Sequence, residues 1–320
     1  MSIKRNLFLL IWAVVFGGMF GCAMGTPVTS EPLPLPTLTT TETPLTTETV
    51  VPAFDGERAY EDVKFQVALG PRIPGTEGHA AVIEWMVQEL ESAGWEATVQ
   101  KGEYLGHPIR NVVAKRAGTM PGAEWIILGA HFDTRSRADH DPDPARQNDP
   151  VPGANDGASG VAVLMELARV LPAELDKNVW LVFFDAEDDG QIEGREWIMG
   201  SSYFVEQLEV TGTLPDAAVI VDMIGDANLD IYLELNSDEA LSNEIWGIAG
   251  KLGYDDNVIP APRHRMIDDH LPFRNAGVPV VLMIDFDYPY WHTVEDTVDK
   301  VSGQSLKIVG ATLLQWLIQR

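Results

Sequence analysis

Apolar residues recur at three- and four-residue steps over residues 80–93, 161–171, 239–252 and 306–318, a spacing that predicts four helices each burying one face. Between them lie short, uninterrupted apolar runs at 125–128, 179–184, 217–221 and 278–284. Runs of this length without polar alternation suit strands buried on both faces, as in a parallel sheet covered by helices. Two weaker segments, 96–100 and 111–115, read as edge strands. The alternation of the two patterns predicts one three-layer α/β domain with a mostly parallel central sheet and right-handed crossovers, spanning residues 53–320.

The pattern ahead of residue 53 is of another kind. Lys4 and Arg5 precede an apolar run at 7–20, shorter than the roughly 20 residues that a bilayer span requires. This reads as an export signal over residues 1–22. The only cysteine, Cys22, follows Gly21 directly after that run, where bacterial lipoproteins are cleaved and acylated. The expectation is an exported, extracytoplasmic domain held to the bacterial cell membrane by lipid on Cys22, with an ordinary cleaved signal or an uncleaved anchor as alternatives. Residues 23–52 are rich in Thr and Pro and cannot bury enough apolar surface to fold, so they read as a linker. A single cysteine leaves no internal disulfide and no cysteine-based zinc site.

Composition narrows the partners. A formal charge of -26 over 320 residues repels phosphates, which excludes nucleic acid and leaves the N-terminal anchor as the only expected membrane contact. Nothing in the sequence sets an oligomeric state.

Candidate chemistry sits where the buried runs end. The first ends in His131 and Asp133, the second in Asp185, Glu187, Asp188 and Asp189, the third in Asp222 and Asp226, and the fourth in Asp285 and Asp287. Ligands of open parallel sheets bind beyond the carboxyl ends of the strands, so these side chains are candidates to converge. Any one Asp there could simply cap the next helix. As a set they need a cation: two carboxylates about 5 Å apart repel by roughly 3 kcal/mol at an effective dielectric near 20. Zinc accepts both imidazole nitrogen and carboxylate oxygen, and His131 and His292 supply the nitrogens. The glycine-rich stretch 152–160 (PGANDGASG) leads into a helix and brings Asp156, either as a cap or as a further ligand.

The ordered motifs GPRIPGTEGH, GAHFDT, GANDGASGVAVLMELAR, FFDAEDDG with GSSYF, VDMIGD and WHTVEDT resemble the M28 family of zinc exopeptidases and its relatives, the glutaminyl-peptide cyclotransferases. The resemblance runs from about Gly70 to the C-terminus. It implies Asp156, Asp188 and His292 as zinc ligands and Glu187 as the general acid/base. It implies His131 and Asp222 as holders of a second zinc, with Asp156 bridging, in the aminopeptidases. In the cyclotransferases the same two positions persist beside one zinc, so one or two Zn2+ ions are expected. Asp133 is implied as a partner that orients His131 or tunes the cluster. Trp291 before His292, and Asp268 in the segment 266–273, resemble the cyclotransferase pattern, in which Asp268 shares a carboxylate hydrogen-bond network with Glu187. Trp197 corresponds to an aromatic of the substrate pocket.

The expected substrates are therefore peptide or protein N-termini. The leading expectation is cyclisation of N-terminal glutamine to pyroglutamate with release of ammonia. The alternatives are an aminopeptidase that hydrolyses the first peptide bond and a lipoprotein that binds peptide or metal without turnover. A serine hydrolase is disfavoured because residues 157–161 (GASGV) do not form a G-x-S-x-G elbow, and the zincin motif H-E-x-x-H is absent.

Overall fold

The computed structural model describes residues 53–320; the expected signal 1–22, Cys22 and the linker 23–52 lie outside the described residues. Helix α1 (Gly56–Ala68) is capped by Asp55, whose side chain accepts the Glu57 and Arg58 N–H groups, and α2 (Glu77–Ser92) is capped by Thr76. The apolar periodicity does not show α1, because this helix is poor in apolar residues and buries Asp62 and Gln66 beside Ala59 and Val63.

Strands β1 (Glu96–Tyr104) and β2 (His107–Arg116) form an antiparallel hairpin. Its two-residue turn, Leu105 and Gly106, has both φ angles positive at 50° and 84°, as the twist of a tight hairpin requires. Then follow β3 (Trp125–His131), α3 (Ala158–Val170), β4 (Asn178–Phe184), α4 (Met199–Thr211) and β5 (Ala217–Asp222). A small parallel pair, β6 (Ile231–Leu233) with β7 (Val258–Pro262), brackets α5 (Glu239–Lys251). The chain ends through α6 (His270–Asn275), β8 (Val280–Ile284) and α7 (Gly303–Gln319).

The main sheet has the order β1-β2-β4-β3-β5-β8. Its four strands β4, β3, β5 and β8 are parallel, while β2 pairs antiparallel with both β1 and β4. The segment 111–115 is thus not at an edge; it lies inside β2, between two partners.

Side chains alternate across the sheet as a period of two demands. Ile126, Leu128, Leu181, Val219 and Met283 enter a core with α2, α3, α5 and α7, whereas Ile127, Val182, Ile220 and Leu282 pack with Phe204 and Leu208 of α4 and Phe273 of α6. Both faces are buried, which is why these strands read as unbroken apolar runs. Helix α3 lies close on the sheet: a Cβ at Gly160 would stand 2.7 Å from the Val221 carbonyl oxygen.

Candidate metal centre

Because β3, β4, β5 and β8 are parallel, their carboxyl ends share one edge, and three of them deliver donor groups there. His131 ends β3, Asp222 ends β5, and Glu187 and Asp188 follow β4. Asp156 comes from the loop before α3, and His292 from the segment after β8.

Two three-donor sets result, His131–Asp156–Asp222 and Asp156–Asp188–His292, each with its donor atoms within 4.8 Å of one another. Asp156 belongs to both. In the first set His131 Nε2 lies 3.0 Å from Asp222 Oδ1 and 3.2 Å from Asp156 Oδ1. In the second, His292 Nε2 lies 2.8 Å from Asp188 Oδ1 and 3.6 Å from Asp156 Oδ2. Asp156 is not spent as a helix cap, since the N-cap of α3 is Gly157 and no side-chain cap bond forms there.

The donor loops are held by other acids. Asp133 Oδ1 and Oδ2 accept the Glu187 and Asp188 N–H groups at 3.0 and 3.2 Å, and Asp133 Oδ1 also lies 3.6 Å from His131 Nδ1. Asp296 accepts the Asn155 and Asp156 N–H groups and the Tyr288 hydroxyl. Backbone strain concentrates here too. Ala186, Met223 and His292 have φ angles of 52°, 46° and 56°, in the left-handed region that costs a non-glycine residue about 1–3 kcal/mol and is tolerated where surroundings enforce it.

Burial and charge separate the two histidines. Burial opposes protonation of His131, but Asp222, with Asp133 and Asp156, outweighs it and drives the imidazole well above its usual range. Burial pushes His292 down to about 3 despite nearby Asp156, which leaves its lone pair free to donate to a metal. Burial also raises the Glu187, Asp188 and Asp268 carboxyls, with further upward pressure from neighbouring acids.

Asp156 Oδ2 and Asp188 Oδ2 are buried without a hydrogen-bond partner. Polar atoms in that condition carry a desolvation cost unless something else satisfies them. Two such carboxylate oxygens beside a neutral imidazole are a donor set that zinc accepts, so the residues present fit the ion.

A cavity of about 230 Å³ opens onto these groups, lined by Glu187, Asp188, Asp222, Asp268, Trp197 and Trp291 among others. Trp197 lies parallel to His292, with ring centroids 5.9 Å apart and planes 8° off; Trp291 stacks on His292 at 3.9 Å. A Cβ at Gly190 would fall 2.0 Å from the Trp197 indole, so only glycine leaves room for that ring. Arg135 holds the other side: its guanidinium sits 4.8 Å from the Trp197 ring, donates to the Asp188 carbonyl at 2.7 Å and pairs with Asp139.

Of the residues that the family resemblance implies, Asp156, Glu187, Asp188, Trp197, Asp222, Asp268, Trp291 and His292 line this cavity, while His131 stands against Asp156 and Asp222, and Asp133 against the Glu187 main chain. Asp268 lines the same cavity as Glu187, and its Oδ1 accepts the Asp269 N–H at 2.6 Å. Other strand-end acids do not converge. Asp185 binds His79 Nε2 at 2.7 Å, Asp189 pairs with Arg195, Asp285 accepts the Asp230 N–H, and Asp287 faces Arg263. Asp226 accepts the Asn228 N–H. Asp296, Arg72, Arg135 and Asp269 were not singled out, although Asp296 and Arg72 stand inside the quoted motifs WHTVEDT and GPRIPGTEGH.

A mostly parallel sheet whose strand ends gather imidazole and carboxylate donors around a small cavity defines a zinc exopeptidase-like α/β enzyme. Comparison with known proteins agrees. The model of peptidase family M28 matches residues 111–317, and the chain belongs to that family. It is 25% identical over 267 residues to the aminopeptidase YwaD of Bacillus subtilis, a match covering 78% of this chain but only 54% of that protein. The Bacteroides thetaiotaomicron glutaminyl cyclase, solved with N-acetylhistamine, is 33% identical with a TM-score of 0.78, covering 84% of this chain and 99% of that one. A Zn-dependent exopeptidase from Parabacteroides distasonis is 30% identical with a TM-score of 0.78, covering 84% of this chain and 100% of that one.

Proposed function

We propose that the protein cyclises N-terminal glutamine of peptides or proteins to pyroglutamate, releasing ammonia. The observation that carries this reading is the asymmetry of the two donor sets. Each histidine is held by an acid, His131 by Asp222 and His292 by Asp188, but only beside His292 do two buried carboxylate oxygens, Asp156 Oδ2 and Asp188 Oδ2, lack a partner. Asp156, Asp188 and His292 would hold one zinc, which supplies Lewis acidity toward the side-chain amide carbonyl of the glutamine. One such centre suffices for cyclisation, because the nucleophile is the substrate's own amine, which has only to shed a proton.

Glu187 takes that proton as the α-nitrogen attacks the amide carbon, and gives it to the departing ammonia. Its burial among Asp188, Asp268 and Asp269 keeps its proton affinity high enough to serve in both directions. Asp268 acts through this field and the shape of the cavity wall. Trp197 and Trp291 flank a space of about 230 Å³, below the roughly 300 Å³ at which drug-sized pockets begin, which suits one short side chain and not an extended peptide.

A second reading, an aminopeptidase, is favoured by one feature: Asp156 belongs to both donor sets, as a carboxylate bridging two ions would. Glu187 would then take a proton from the water that attacks the first peptide bond. The deciding assay offers Gln-initiated peptides beside Leu and Ala amides, and measures ammonia, free amino acid and zinc bound per chain. Ammonia from Gln-initiated peptides with one zinc supports cyclisation; amino-acid release with no ammonia overturns it.

We further propose that the domain works outside the cytoplasm, tethered through Cys22 and residues 23–52. The basic and apolar run ahead of Cys22 and the Thr/Pro composition behind it support this. Replacing Cys22 with Ser should then move the chain out of the membrane fraction.

A further inference from the structure

Arg72, in the connection between α1 and α2, is wholly buried, yet among the described residues no carboxylate pairs with it. Its Nε donates to the Phe132 carbonyl at 3.1 Å, Nη1 to the Pro152 carbonyl at 2.9 Å, and Nη2 to the Gly153 carbonyl. Its own N–H donates to Thr134 Oγ1 at 2.9 Å. One planar group thus grips two loops: that after β3, next to His131, and that which carries Asp156.

The glycines of the second loop make room for it. A Cβ at Gly153 would lie 2.7 Å from Arg72 Nη2, and one at Gly157 would lie 3.4 Å away. A buried cation without a counter-ion at contact is costly unless the surrounding field favours it. That field comes from Asp296, Asp133, Asp156 and Asp188. Burial pulls the guanidinium down to about 10 against them, so it stays charged at neutral pH.

We propose that Arg72 is a positioning residue for the metal centre: it ties the loop after β3 to the loop of Asp156, and thereby sets the spacing of His131 and Asp156. Its charge also offsets part of the crowding among the acids behind the zinc. The inference rests on the zinc reading of those acids. Lysine would keep the charge, but a single nitrogen cannot reproduce a fork that reaches both loops.

The test compares the wild-type chain with Arg72→Lys and Thr134→Val, each stripped of metal and reloaded. Zinc affinity is measured by competition with a chelator, stability by melting of the zinc-free protein, and turnover as separate kcat and KM. For Arg72→Lys the expected result is a cooperative melt without zinc, zinc affinity at least about tenfold weaker, and kcat reduced more than KM is changed. Thr134→Val, which removes only the acceptor for the Arg72 N–H, should weaken zinc binding in the same direction by a smaller factor. Undiminished zinc affinity in Arg72→Lys overturns the proposal, as does a loss no larger than the lowered stability of the zinc-free protein accounts for. Should Arg72→Lys not fold, undiminished zinc affinity in Thr134→Val overturns it instead. A wild-type chain that takes up no zinc defeats the metal reading as well, which separates the two failures.

Discussion

The Asp133 carboxylate holds Glu187 by its main chain, accepting the Glu187 N–H at 3.0 Å while its second oxygen accepts the N–H of the next residue at 3.2 Å. The residue read from sequence as a partner of His131 thus also fixes the direction in which Glu187 and Asp188 leave β4. Asparagine has the same shape but only one accepting oxygen, so Asp133→Asn leaves one buried N–H facing an amide NH2. The expected cost is about 1–3 kcal/mol of stability. Zinc affinity and kcat should drop together, because both rest on that loop; a variant with lowered melting temperature but unchanged zinc affinity would contradict this.

Glu187 is the proton carrier in either chemistry, and among the described residues no N–H or O–H group donates to its side chain, so none is stranded by the substitution. Glu187→Gln should therefore fold and bind zinc as the wild type does. Turnover should fall by at least ~100-fold, the usual contribution of a positioned acid/base. Zinc stoichiometry measured beside kcat checks this, and residual activity within tenfold of wild type would remove Glu187 from the mechanism.

Trp197 is kept against His292 by Arg135, which is anchored in turn by Asp139 and the Asp188 carbonyl. Arg135→Lys retains the charge and loses the two-pronged grip on Asp139. The indole should then sample other positions, and KM for Gln-initiated peptides should rise more than kcat falls. Steady-state kinetics decide: an effect confined to kcat would mean that Trp197 does not shape binding.

The four buried strands were legible because burial on both faces leaves no polar position to break the run, and α2, α3, α5 and α7 because each carries an apolar stripe. Helix α1 was silent for the opposite reason: its inner face is built from Asp62, Gln66 and ion pairs. The chemical identity of the site was legible from residue types at strand ends and from the family resemblance. Which acids converge was legible from the resemblance alone, not from their positions at strand ends. Asp285 has the same position after β8 as Asp185 has after β4, and each is consumed by a local partner from outside its strand, Asp230 or His79. Arg72 stands inside the motif GPRIPGTEGH, but its role is not legible there, since every group it holds is brought to it by the fold.

Helix α1 is stitched to α3 by charge. Glu166 is fully buried on α3 and accepts from Arg58 at 2.6 and 2.7 Å and from the Asp55 N–H at 3.1 Å. Arg58 is half exposed, and Arg169 stands 3.5 Å from Glu166 as a second partner. Arg58→Ala should therefore cost about 1–3 kcal/mol, short of what an abandoned buried charge would cost. The melting temperature should fall by ~2–4 °C for each kcal/mol, with zinc content and KM unchanged.

Asp285 links stability to pH without belonging to the metal centre. Burial pushes its carboxyl up to about 7, with Asp226 and Asp230 adding to the rise, while its oxygens accept the Asp230 and Asp287 N–H groups. In the unfolded chain it titrates near its ordinary value of 3.8. Between those two values the folded state binds more protons than the unfolded one, so stability from this group is present at low pH and is lost as pH rises through about 7. Asp285→Asn cannot titrate, and its amide misfits one of the two N–H groups. It should melt well below wild type at pH 5, and the gap should narrow steadily toward pH 8, as the wild type alone takes on a buried charge. Melting curves of both proteins across that range test the sign; a gap that stays constant or widens with pH would show that Asp285 is ionised throughout.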